Sequence, residues 1–127
     1  MLLAASCGGP RDDPANPADP AYPGSTVLTP THSGGSCCFY PSDGEARCPV
    51  VITEFGTQDE LGSVIDFYDG LGFDGEGAGP TGDPMVRWIG VRNGNPTTWR
   101  KVDLATGEVG GNPGWATFME VLAPDCS

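Results

Sequence analysis

The side chain best placed to do chemistry is Glu54. It closes the apolar, β-branched run of "CPVVITEFG", residues 48–56. Val50, Ile52 and Glu54 share one strand face by period two, so the carboxylate continues an otherwise apolar row. Burial there disfavours the charged form, and a Glu kept in such a place needs partners or a task. A carboxylate at a strand end can serve as nucleophile or as general acid or base. It can equally be a solvated strand end or cap the helix that follows. Two further residues belong to the same question. His32, the single histidine, follows the β-prone segment "TVLTP", 26–30, and reads either as a surface histidine or as a group that orients an acid. Trp88, inside "MVRWIGV", 85–91, reads either as core or as a platform for the apolar face of a ligand. One histidine and the lack of any CxxC pair argue against structural zinc. The acidic stretch "DGEGAGPTGD", 74–83, lacks the spacing of an EF-hand loop and reads as solvated loop. No metal and no cofactor are expected.

The elements that must hold these residues are short. Gly and Pro supply 20 and 13 of the 127 residues, so turns and loops take much of the chain. One domain is expected over 1–127, with loop-rich segments at 8–25 and 31–47. The near-continuous apolar run 49–55 reads as a parallel strand buried on both faces. A helix follows: Thr57 and Glu60 have capping-box spacing, and Leu61, Val64, Ile65, Tyr68 and Leu71 recur on one helical face. Gly70 and Gly72 end it. In 85–91, Val86, Trp88 and Gly90 face one way and Met85, Arg87, Ile89 and Val91 the other. Residues 97–104 are a candidate hairpin strand. "NPGWATFMEVL", 112–122, reads as a helix with Asn112 as N-cap and Pro113 at its first position. Strands alternating with helical or long connections predict an α/β fold with a parallel sheet.

"PVVITEFG" closely resembles the nucleophile strand of glycoside hydrolase family 5, the cellulase-type retaining β-glycosidases. "TVLTPTH" and "VRWIGV" resemble the strands on either side of it in that family, and "GGNPGWATFMEVL" is similar to its last helix. The resemblance implies the C-terminal half of a (β/α)8, TIM-type barrel with parallel strands and long loops. It implies hydrolysis of a β-linked polysaccharide or oligosaccharide such as a glucan or mannan, with retention of configuration. Glu54 would be the nucleophile, His32 would hold its region in place, and Trp88 would stack under the sugar. Retaining glycosidases need a second carboxyl group. The family's acid/base follows an Asn, and no Asn here precedes a Glu, so the acid/base is expected to be absent from this chain. A second resemblance is carried by "VIDFYDGLGF", 64–73, which is similar to the helix-to-strand turn of glyoxalase/bleomycin-resistance βαβββ modules.

The formal charge of −11 excludes nucleic acid and anionic membrane surfaces as partners on electrostatic grounds, while a neutral sugar is compatible and a cation is possible. Cys37 or Cys38 is expected to pair with Cys48, with Cys126 as a further candidate partner, in an oxidising extracellular compartment. "MLLAASCGG" reads as a short strand or as the tail of a lipoprotein leader with Cys7 lipidated. No apolar run is long enough to span a membrane. A third function class follows from these features: a secreted or lipid-anchored, disulfide-stapled binding domain.

Overall fold

The computed structural model describes residues 16–34, 49–77, 87–92 and 98–125. All five cysteines lie outside these residues, as does the segment 1–6. The described chain forms strands β1 (Thr26–Ser33) and β2 (Val50–Thr57), helix α1 (Leu61–Gly70), and strands β3 (Asp74–Gly77), β4 (Trp88–Arg92), β5 (Arg100–Thr106) and β6 (Thr117–Pro124). The strands make one sheet in the order β1-β2-β6-β5-β4-β3. Every neighbouring pair is antiparallel.

This corrects the expected fold. The chain is not half of a parallel, TIM-type (β/α) barrel, and the α/β reading gives way to a six-stranded antiparallel sheet carrying one short helix. The decisive error lies at 112–122. Asn112 and Pro113 do turn the chain, with the Trp115 amide bonded to the Asn112 carbonyl at 3.1 Å, but no helix follows. Thr117, Met119, Val121 and Ala123 alternate with Phe118, Glu120 and Leu122, and this period of two makes β6 a central strand between β2 and β5. The helix expected there would have left β2 to pair in parallel. β6 instead meets β2 over the full span from Val50↔Pro124 to Thr57↔Thr117.

The helix after β2 forms as expected, with Leu61, Val64, Ile65 and Tyr68 buried. Its start differs. Thr57 is still in β2, its hydroxyl accepts from the Asp59 amide at 3.2 Å, and Glu60 is the N-cap residue with no side-chain cap bond. Gly72, at φ 91°, stops the helix, and the Phe73 amide returns to the Tyr68 carbonyl at 3.1 Å. The helix crosses the face built from Phe55, Met119, Val121, Val102, Leu104 and Trp88. Edge-to-face ring contacts Tyr22–Phe67, Phe67–Tyr68 and Tyr68–Phe73 extend this core toward the N-terminal segment.

Of three smaller expectations, one changes, one gains detail and one holds. Residues 74–77 of the acidic stretch are the edge strand β3, not loop. The Pro-rich residues 16–25 have no helix or strand but pack down: Pro20 is fully buried, and Ala18, Ala21 and Tyr22 lie against the core. The Tyr22 hydroxyl donates to the Asp59 carboxylate, and that bond pushes the phenol up to about 12. The hairpin expected from 85–91 and 97–104 is present as β4–β5. The Glu54 strand, however, sits beside β1 and β6 and not beside that hairpin.

Candidate functional site: the sheet face opposite the helix

The helix covers one face of the sheet. Side chains of alternate register line the other, and Glu54 belongs to that face. Following the pairings across the sheet from Glu54 gives a single row: Thr29 on β1, Glu54 on β2, Glu120 on β6, Asp103 on β5, Ile89 on β4 and Glu76 on β3. Four of these six positions are acids. Antiparallel pairing places directly opposite residues on the same face, with Cβ atoms roughly 4.5–5.5 Å apart. The sequence therefore delivers carboxylates from four separate strands into one line.

Each acid in the row has a different setting. The Thr29 hydroxyl donates to Glu54 Oε1 at 2.8 Å. Glu120 lies opposite Glu54 and is half-buried. Burial first, then its hydrogen bond with Glu54 and the negative charge of Asp103, raise its carboxyl above the ordinary glutamate range, while Arg87 acts the other way. Asp103 is raised too, chiefly by burial, and Arg87 and Lys101 only partly offset this. Arg87 Nε stands 3.6 Å from Asp103 Oδ1, an ion pair too long to be a hydrogen bond. That oxygen is buried and has no hydrogen-bond partner among the described residues.

Beside the row, His32, Ile52, Leu122, Lys101, Val91 and Asp74 form the next one. At the β3–β4 end, Asp74, Glu76, Arg87, Ile89 and Val91 border a shallow depression of about 450 Å³, open to solvent. At the opposite end of the sheet face, the Trp115 ring lies over Gly56. Val50 and Trp99 pack together as a small separate cluster.

The three residues singled out in the sequence do not converge. Glu54 is central to the sheet face opposite the helix. His32 is exposed on β1 opposite Ile52, one row from Glu54, and its Nδ1–H donates to its neighbour's carbonyl, Pro30 O, at 2.8 Å. Trp88 is 3% exposed and points to the helix face, on the other side of the sheet from Glu54. Its indole lies across Gly75 and Gly90, so close that a Cβ on either would come within 2.0–2.1 Å of the ring. Trp88 is thus packed as core, with two glycines making room for it.

The residue that sequence reasoning missed is Glu120. It was read as one position on a helix, yet the alternation from Thr117 to Ala123 marks a strand and would have placed Glu120 outward. Among the described residues no group of three or more His, Cys, Asp or Glu side chains is arranged to hold a metal ion, and no helix is long and apolar enough to cross a membrane. What the arrangement offers is a polar, acidic surface with two directly opposed carboxyl groups, Glu54 and Glu120, at its centre. Comparison with protein-family models, with curated proteins and with solved structures finds no match to this chain.

Proposed function

We propose that the chain is a binding domain and that the sheet face opposite the helix receives a basic segment of a partner protein. The supporting observation is the row Glu54–Glu120–Asp103–Ile89–Glu76, with Asp74 beside it and only Lys101 and Arg87 as described cations on that face. Carboxylates held by a rigid sheet at strand spacing present a fixed negative surface, and a partner with lysines or arginines at matching spacing gains both steering and register from it. The chain's formal charge of −11 favours the same class of partner. The five cysteines support a secreted or cell-surface setting, which a shift in mass or gel mobility on reduction would test.

The test uses a decalysine peptide as probe. Changing Glu54, Glu120 and Asp103 together to Gln, Gln and Asn should weaken binding at least tenfold at low salt. Changing three acids around the helix, Glu60, Asp66 and Asp69, to their amides removes the same number of carboxyl groups and should weaken it less than threefold. Equal loss in both variants means that net charge alone is being read, and the surface assignment fails.

Hydrolysis of a β-linked glucan or mannan is the second reading. The Glu54–Glu120 pair favours it, because Glu120 supplies a second carboxyl group that the "PVVITEFG" resemblance lacked. Against it stands the placement of Trp88 on the far face. Release of reducing sugar from a natural glucan, abolished by Glu54→Gln and by Glu120→Gln, supports this reading. No release from the natural glucan removes it.

A further inference from the structure

We propose that Glu54 and Glu120 hold one proton between them across the β2–β6 seam, and that loss of this proton at rising pH weakens the pairing of the two strands. The device belongs to the fold and operates with or without a partner.

The geometry begins with the register. Glu54 and Glu120 are direct partners in the central antiparallel pair, and both are only partly exposed. Two carboxylates in that relation repel unless a proton joins them. The proton has a preferred side. Glu54 Oε1 already accepts the Thr29 hydroxyl. Glu120 has no cation paired with it among the described contacts, so its O–H donates to Glu54. The surroundings reinforce this from each neighbouring element. On β1, Thr29 is neutral, and His32 is exposed one row away. On β5, Asp103 lies directly opposite Glu120 and adds a third negative charge, while Lys101 is one row along. Arg87, just ahead of β4, is engaged by Asp103. Glu76 closes the row on β3, beyond Ile89.

The upward displacement of the Glu120 carboxyl accords with this arrangement. A group that holds its proton more tightly when folded contributes stability that is fully present below the ordinary glutamate range. That contribution is lost as pH rises through the folded value. The seam is therefore tightest in mild acid and weakens toward neutral and alkaline pH, the reverse of a salt-bridged acid.

The experiment follows carboxyl titration by NMR in the full chain labelled with 13C at glutamate side chains, together with urea unfolding from mild acid to pH 8. In the wild-type protein the Glu120 carboxyl should titrate above the ordinary glutamate range. Glu54→Gln should bring it back toward that range. Glu120→Gln should leave unfolding unchanged in acid and lower the unfolding equilibrium constant about two- to fivefold at pH 8. A Glu120 that titrates as an ordinary glutamate and does not respond to Glu54→Gln overturns the proposal, even if either variant folds poorly. So does a Glu120→Gln effect that is the same at every pH. Neither readout involves the peptide, so this proposal and the binding assignment fail independently.

Discussion

Replacing Trp88 by alanine lowers the unfolding free energy by about 3–5 kcal/mol, measured by urea denaturation, which is a large share of a small domain's stability. The size follows from its position. The indole is 3% exposed and fills the space between α1 and the β3–β4 corner, where Gly75 and Gly90 supply no side chains of their own. Truncation leaves a void that two glycines cannot close. Gly90→Ala acts from the other side: the added methyl would meet the ring at 2.1 Å, so the indole or the strand must shift, at a cost of about 1–3 kcal/mol. If Trp88→Ala costs under about 1 kcal/mol, the ring is not core and the face assignment of β4 is wrong.

The second large effect belongs to Arg100, which is 2% exposed. Its Nε donates to the Asp19 carbonyl at 2.7 Å, one terminal nitrogen to the carbonyls of Thr98 and Trp99, and the other to Asn16 at 3.3 Å. The Tyr68 hydroxyl donates to the Pro20 carbonyl at 2.7 Å from the helix. Burial lifts the Tyr68 phenol far above its ordinary value, so it remains a neutral donor. Together they tie residues 16–20 to β5 and α1. Arg100→Met keeps the apolar stem but leaves one buried and three part-buried carbonyls without their charged donor, and should cost about 3 kcal/mol. Amide exchange in 16–22 should speed up more than exchange in β2 or β6. Uniform acceleration throughout the sheet would mean that Arg100 supports the whole core and not the N-terminal segment.

What the sequence made legible was local. The helix over 61–70 could be read because its apolar positions repeat at helical spacing and Gly72 ends it. The faces of β4 could be read from alternation alone, and Trp88 with Gly90 does oppose Arg87, Ile89 and Val91. Pairing partners were not legible. The run 49–55 looks parallel because both of its faces carry apolar residues, but the reason is different. Phe55 meets the helix-side core while Val50, on the other face, packs on Trp99. Strand direction is set by which segment lies beside β2, and that depended on 117–124, where helix-start residues at 112–113 masked a period of two. Glu54 was recognised as an acid that needs a partner. The partner was invisible because Glu120 lies 66 positions away and reaches it only through the β2–β6 register.

Those two acids stand at the middle of the sheet face opposite the helix, the surface assigned to the basic partner. The measurement that tests that assignment most directly is amide chemical-shift mapping of the 15N-labelled chain during titration with decalysine peptide. The account predicts the largest shifts at Glu54, Asp103, Glu120 and Glu76, on four different strands, with little change along 61–70. Shifts concentrated on the helix, or spread evenly over every acidic residue, would contradict it.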